Sequence, residues 1–231
     1  MFGTTYTGGL SDYRSASDIN SAMGRVYGHM SVAVIISMIV SWFVGTSPEL
    51  LQFFFTGVLK WIVILAPLAA ILVFSFACEQ FNKAQLKLFL YAFAALMGLS
   101  TATIFAIFTM GSIVSAFMGA GILFAVMSGY GYFTKSNLDS MGKFMLVGLI
   151  AIVIASIVNI FIGSTVMQMV ISALAIIIFL GLTAYDTQKI REAVSLEGDT
   201  GRQEVIGALT LYMDFINLFI NLLQLFGIKK D

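Results

Sequence analysis

Hydrophobic residues fall into long runs that are separated by short polar connections over most of this chain. A membrane-spanning helix needs about 20 predominantly apolar residues. Seven runs reach that length: 26–44, 54–77, 86–110, 112–133, 144–162, 165–185 and 205–228. The pattern predicts an all-α fold, a polytopic membrane bundle of seven transmembrane helices. Only the seventh run has polar residues spaced along its whole length.

The connections predict which helices are neighbours and where the bundle begins. Very short links at 109–111 and 163–165 predict that the third and fourth helices, and the fifth and sixth, pack as antiparallel pairs. The longest internal loop is expected at 187–204. Residues 1–25 are small and polar, so we interpret them as a cytoplasmic tail and 26–231 as one transmembrane bundle domain.

Composition supports the membrane assignment and narrows the partners. The chain is 59% hydrophobic and 10% charged, whereas a soluble domain carries about 25% charge, so the lipid bilayer is the expected surrounding. Twelve basic residues balance twelve acidic ones, which leaves no basic arm for nucleic acid. The lone Cys78 excludes an intrachain disulfide.

Lysine and arginine positions predict the orientation of the chain. Most of them lie on the side of the N-terminal tail, which favours a cytoplasmic N-terminus. Lys229 and Lys230 argue for a re-entrant last segment, because seven full crossings place them outside. The length of the last run, about 24 residues, argues for a full crossing. We expect seven spans.

Two aspartates interrupt the last two runs, Asp186 in the sixth and Asp214 in the seventh. A carboxylate at the centre of a membrane helix costs about 2.5–3.5 kcal/mol on insertion scales. The two residues lie at similar distances from the turn between their helices, about 11 and 16 residues. Since the helices are antiparallel, both carboxylates are expected at a similar depth, where they can meet.

The seventh run carries its polar residues on one face. At about 100° per residue, the side chains fall within an arc of roughly 80°. The stripe consists of Thr210, Asp214, Asn217, Asn221 and Gln224. A polar stripe on a membrane helix is hidden in the bundle or faces a water-filled cavity. We therefore predict that the seventh helix is central and that its stripe lines or supports an internal path.

Electrostatics predicts what such a pair does. Two carboxylates about 5 Å apart repel by about 3 kcal/mol at an effective dielectric of 20, so the pair is expected to share one proton and titrate as a unit. Without that proton the helices part or a cation enters. Ca²⁺ fits, because it prefers oxygen ligands, and Asp186 and Asp214 are its candidate ligands. In the alternatives, each aspartate has its own cationic partner, or only one has a role.

The segments around both aspartates resemble the transmembrane Bax inhibitor motif family, including its YccA-like bacterial branch. The matching stretches are LTAYDTQKI at 182–190, ALTLYMDFINLF at 208–219 and LLQLFGI at 222–228. The resemblance implies six helices in paired layers around a central seventh, in the inner membrane of a bacterium. It also implies a pH-sensitive calcium leak governed by two aspartates, which match Asp186 and Asp214.

The chain departs from that family at one place. Some bacterial members have an arginine at the end of the second helix that contacts the first aspartate, whereas Glu79 and Gln80 occupy the matching positions here. Lys83 is the nearest possible substitute. Another branch is described as restraining a membrane-bound protease, and such an activity would depend on the N-terminal tail.

Three functions from different classes follow. The leading hypothesis is a proton-regulated calcium leak that is not an enzyme. The second is a regulator without transport that binds a membrane protease or another membrane complex. The third, an intramembrane aspartyl protease, is remote because Leu211-Tyr-Met213 precedes Asp214 where such enzymes have a Gly-x-Gly motif.

Overall fold

The computed structural model describes residues 15–196 and 201–230 as a bundle of α-helices. The helices are α1 (Ala16–Gly45), α2 (Pro48–Phe55), α3 (Leu59–Ala77), α4 (Lys83–Ser100), α5 (Ile104–Ile107), α6 (Met110–Phe133), α7 (Asp139–Ile162), α8 (Thr165–Leu196) and α9 (Arg202–Phe226). Within these residues there is no β-strand, and an isolated bridge pairs Phe108 with Lys229. Seven segments of the described chain are long and apolar enough to cross a membrane, which confirms the predicted fold class.

The last helix lies at the centre of the bundle, as predicted. Helix α9 packs against α1, α4, α6 and α8, and Leu211, Tyr212 and Leu218 on it are fully buried. Helices α1, α3 and α4 form one layer, and α6, α7 and α8 form the other. Helix α7 is almost wholly exposed along its apolar length, because it contacts the bundle through α8. Among the polar side chains of α9, Glu204 and Asp214 are therefore buried in the bundle, whereas Gln224 near the end of the helix is exposed.

The first helix begins earlier than the predicted tail boundary at residue 25. Helix α1 starts at Ala16, since Ser15 caps it by accepting a hydrogen bond from the backbone N–H of Asp18. Residues 16–25 therefore belong to the bundle, and Ala22 and Met23 are buried there. The remaining predicted tail, 1–14, lies outside the described residues.

The sixth spanning helix, α8, also extends beyond its hydrophobic run. We predicted a loop over 187–204, but α8 continues to Leu196 and α9 starts at Arg202. Buried Ile190 and Val194 hold this extension against the bundle, and Ile190 packs directly over Gly207 of α9. Hydropathy underestimated the helix because the extension alternates buried apolar residues with exposed charges.

One of the two predicted helix pairs is wrong. Helices α7 and α8 pack together as expected, joined through Gly163 in the left-handed conformation. The third and fourth spanning segments, α4 and α6, do not pair. Thr101 ends α4 by bonding the carbonyl of Met97, and α5 follows. The connection between α4 and α6 is therefore longer than the predicted link at 109–111, and α6 packs in the opposite layer.

The final helix crosses the whole bundle. At its start Glu204 contacts Arg25 of α1 and Lys83 of α4. At the other end Lys229 pairs with Phe108, which precedes α6. These ends are opposite, so α9 runs the full length of the bundle, which favours a full crossing over re-entry.

Candidate functional site

Asp186 and Asp214 meet between the two most closely packed helices, α8 and α9. Asp186 lies ten residues before the end of α8 and Asp214 twelve residues after the start of α9. At 1.5 Å per residue these positions are about 15 and 18 Å from the same end of the bundle. The two carboxyl groups interact with each other across the contact between α8 and α9. The depth argument from the sequence therefore places both residues correctly.

The pair is secluded and has no cationic neighbour. Asp214 is only 4% exposed, and Asp186 is partly buried. In the described part of the chain, neither carboxylate forms a salt bridge with lysine, arginine or histidine. Asp214 Oδ2 is buried without a hydrogen-bond partner in the described structure. The alternative with separate cationic partners does not fit the described residues, and the shared proton stays a prediction.

Hydroxyl groups tie three helices together beside the pair. Tyr27 of α1 lies 2.6 Å from Ser128 of α6, and Ser128 lies 2.9 Å from Thr187 of α8, measured between side-chain oxygens. Thr187 donates to the backbone carbonyl of Thr183, so it must accept from Ser128, which in turn accepts from Tyr27. The chain of donors ends on a backbone carbonyl. These hydrogen bonds therefore fix the position of the α8 segment that carries Asp186. They do not lead a proton to the Asp186 carboxyl group.

Small residues allow helices to approach closely around Asp186. A Cβ atom at Gly131 of α6 would overlap the backbone carbonyl of Ala184, and one at Gly142 of α7 would overlap the ring of Tyr185. Both contacts flank Asp186 on α8. Helix α8 is thus held from both sides, and the Asp186 carboxyl is directed toward α9.

The central helix has its own anchor near Asp214. The hydroxyl of buried Tyr212 lies 2.6 Å from the Ser37 hydroxyl of α1, and Ser37 donates 2.8 Å to the carbonyl of Ala94 in α4. Helix α9 is thus attached to the first layer through Tyr212, two residues from the aspartate that faces the second layer. A change in the distance between Asp186 and Asp214 therefore changes the distance between the two layers of helices.

The rest of the predicted stripe behaves in two ways. Thr210, Asn217 and Asn221 each donate to the carbonyl of the residue four positions earlier in α9. Gln224 instead accepts from Gln168 at 2.7 Å and Ser172 at 3.1 Å, both on α8. The structure brings Gln224 to α8 but does not join the stripe residues into one side-chain network. Their role in lining a path stays a prediction.

The sequence did not predict the ionic contact at the start of α9, because the predicted loop included Glu204. Its oxygens lie 2.6 Å from Arg25 and 3.1 Å from Lys83, and its side chain is only 2% exposed. Lys83, the possible substitute for the missing arginine, is thus bound to Glu204 and not to the aspartates. Glu79 and Gln80 are exposed at the end of the second span. Three separated positions form this cluster, so sequence spacing carried no signal for it.

Comparison with known proteins identifies the family of the chain. A family model described as "Inhibitor of apoptosis-promoting Bax1" matches residues 19–231. The chain belongs to this Bax inhibitor family. It is 35% identical to the inner membrane protein YbhL of Escherichia coli K12, over 92% of this chain and 93% of the relative. It is also 35% identical to the uncharacterized protein YrjE of Lactococcus lactis, over 94% of both chains.

Family membership identifies a multi-span membrane protein and extends the resemblance over almost the whole chain. A third relative, the uncharacterized membrane protein SpyM3_0260 of Streptococcus pyogenes, is 38% identical over 69% of this chain and 70% of its own. Two of these three names specify a membrane protein, and none of them specifies a reaction. The activity therefore has to be argued from the aspartate pair.

Proposed function

We propose that this protein is a calcium-permeable leak pathway of the inner membrane, closed by the shared proton between Asp186 and Asp214. The observation that carries the proposal is the meeting of these two secluded carboxyl groups without a cationic partner in the described residues. The relative named an inner membrane protein supports the location. Lysine and arginine are more frequent on the side of the bundle that carries the N-terminus, which favours a cytoplasmic N-terminus.

The shared proton acts as a latch between α8 and α9. With one proton, the carboxyl groups form a hydrogen bond that joins the two helices. Without it, two negative charges about 5 Å apart repel by about 3 kcal/mol at an effective dielectric of 20. Since α9 is attached to α1 and α4 through Tyr212 and Ser37, this repulsion separates the layers and opens a path along α9.

Calcium is the ion that the open pair suits. Its carboxylate oxygens are hard ligands, and Ca²⁺ usually takes six to eight oxygens. No group of three or more acidic, histidine or cysteine side chains comes together within 15–196 and 201–230. Two carboxylates give an incomplete ligand set, which favours brief binding and passage over storage. Because the ion and the proton use the same oxygens, they compete, and acid weakens calcium binding.

The backbone around Asp214 favours this proposal over an intramembrane aspartyl protease. Helix α9 is unbroken from Arg202 to Phe226, and Leu211-Tyr-Met213 supplies none of the glycines that open the backbone beside a catalytic dyad. A peptide substrate would need that opening to reach the carboxyl groups. We therefore propose gating and no cleavage. The proposed regulator of a membrane protease depends on the tail at 1–14, outside the described residues.

The proposal is tested by calcium flux from vesicles that contain the purified protein. We expect the wild-type flux to be low where the pair holds its proton and to rise as the pH is increased beyond that range. Replacing Asp214 with Asn removes both the shared proton and the repulsion, so the pH dependence should disappear. A latch of about 3 kcal/mol corresponds to a change of up to roughly 100-fold in the ratio of open to closed states.

Asp139→Asn is the matched control. Asp139 is a partly exposed carboxylate whose Oδ1 lies 2.7 Å from Nζ of Lys189, and Lys189 contacts Glu192 and neither aspartate of the pair. This variant should keep the wild-type flux and its pH dependence. A robust flux with unchanged pH dependence in Asp214→Asn would refute the proposed site.

A further inference from the structure

A lateral cavity of about 430 Å³ lies between α1, α6 and α9, in the half of the bundle away from Glu204. Helices α1 and α6 belong to different layers and make few contacts; Tyr27 and Ser128 join them in the other half of the bundle. The cavity fills the gap between them. Buried Phe105 and Ile113 lie on its wall, and Ile216 of α9 closes it on the inside.

The cavity is apolar and open to the lipid. Met38 of α1 and Val114 and Met118 of α6 line it, and about half of each of these side chains is exposed. A cavity with this lining excludes ions and hydrated molecules, since they would leave their water without replacement contacts. Its shape and chemistry suit a hydrocarbon chain that enters from the bilayer.

One polar group in the cavity wall has no partner. The Ser41 hydroxyl is buried, with the residue 4% exposed, and it has no hydrogen bond in the described structure. Its neighbour one turn earlier, Ser37, donates to the carbonyls of Ala33 and Ala94. An unpaired buried hydroxyl is unfavourable. Ser41 lies four residues before the end of α1 at Gly45, about 6 Å from the helix end.

Positive charge lies beside the mouth of the cavity. Lys230 Nζ donates a 2.7 Å hydrogen bond to the carbonyl of Phe105, a residue of the cavity wall. Lys229 is exposed beside it and pairs with Phe108. An ammonium group has three donors, so Lys230 keeps two after binding Phe105. Both lysines therefore present free N–H donors and positive charge at the level of lipid headgroups.

We propose that this cavity binds one acyl chain of an anionic phospholipid. The hydrocarbon chain lies between α1 and α6, the ester carbonyl accepts a hydrogen bond from Ser41, and the headgroup phosphate pairs with Lys229 and Lys230. Charge complementarity at the mouth selects an anionic lipid over a zwitterionic one. The unpaired Ser41 hydroxyl selects a molecule with an acceptor at that depth over a plain hydrocarbon.

Photoactivatable lipids test the proposal with the full-length protein in nanodiscs. Two probes carry the same diazirine-labelled acyl chain, one on phosphatidylglycerol and one on phosphatidylcholine, and the labelled peptides are mapped by mass spectrometry. We expect the phosphatidylglycerol probe to label the cavity segments of α1 and α6 preferentially. Ser41→Ala should reduce this labelling by about two- to tenfold, the effect of one neutral hydrogen bond.

Two further variants separate the parts of the site. Val114→Trp fills the cavity and should decrease labelling strongly, whereas Val153→Trp, at an exposed apolar position of α7, should not. Replacing Lys229 and Lys230 with Gln should abolish the preference for phosphatidylglycerol and leave the thermal unfolding temperature unchanged. Equal labelling by both probes in the wild type, or equal labelling of the two tryptophan variants, overturns the proposal.

Discussion

Glu204 shows how one side chain joins separate helices at the end of the bundle. The residue lies in the first turn of α9, almost fully buried, and accepts from Arg25 and Lys83 on two other helices. Hydrogen bonds to charged donors are stronger than neutral ones, at about 1.5–3 kcal/mol. Because both cations are partly exposed to solvent, the lower part of that range applies.

Replacing Glu204 with Ala should therefore destabilise the bundle by about 1–3 kcal/mol, since it removes both contacts and leaves a small cavity. Unfolding in mixed micelles with increasing denaturing detergent measures the change. Glu192→Ala is the control, because its contact with Lys189 is exposed and should contribute less than about 1 kcal/mol. Equal stability of the two variants would contradict the structural role of Glu204.

The sequence predicted the aspartate pair but not Glu204 or the hydroxyl cluster, for a physical reason. Depth in a helical hairpin follows from counting residues, so Asp186 and Asp214 could be matched. Contacts such as Tyr27 with Ser128 join helices that are far apart in the chain, and residue counting says nothing about them. The role of the stripe on α9 stays a prediction, because its threonine and asparagines satisfy their hydrogen bonds on their own helix.

Close approach between α6 and α8 sets the position of the helix that carries Asp186. Gly131 packs directly on the backbone of Ala184, whereas Gly129, two residues earlier on the same helix, has open space at its Cβ position. The two glycines therefore form a matched pair. Packing requires a glycine at Gly131, whereas an alanine has room at Gly129.

Gly131→Ala should destabilise the protein by about 1–3 kcal/mol, because the new methyl group overlaps a backbone carbonyl and pushes the helices apart. Gly129→Ala should be neutral or stabilising by up to about 1 kcal/mol, since alanine is the better helix former. Thermal unfolding of both variants in detergent checks the difference. A Gly131→Ala protein as stable as Gly129→Ala would show that the close approach is not needed.

At the level of elements, hydropathy predicted the number of membrane-spanning helices. It did not predict the start of α1 or the end of α8. Apolar runs report contact with lipid, which is why all seven spans were found. Helix α1 begins before its run because of the Ser15 cap, and α8 continues beyond its run through Ile190 and Val194. Both extensions are stabilised by packing and capping at the membrane edge, where a helix no longer needs an apolar surface on every side.

In the described part of the molecule, the start of α9 and the residues that follow this helix lie at opposite ends of the bundle. The start of α9 is joined to the N-terminal end of the bundle through Arg25, and the residues after α9 pair with Phe108 at the other end. Two layers of three helices enclose α9, so a displacement of the central helix changes its packing against both layers. Lys229 and Lys230 therefore lie on the side that the charge count assigned to the exterior.

This topology is checked with C-terminal reporter fusions in cells. Alkaline phosphatase, which is active only after export, should be active when fused after residue 231, and a green fluorescent protein should be dark there when exported through the same route. Fusions in the connection between α6 and α7 should give the reverse. An inactive phosphatase at the C-terminus would contradict the full crossing of α9.

The central claim, that Asp186 and Asp214 share one proton, is tested most directly by infrared difference spectroscopy of the purified protein during a pH titration. We expect one protonated carboxyl band in the wild type at neutral pH that disappears as the pH is raised, and that shifts or is lost in both Asp186→Asn and Asp214→Asn. Asp139→Asn should leave it unchanged. A band that is absent from the wild type, or that persists in both variants, would contradict the account.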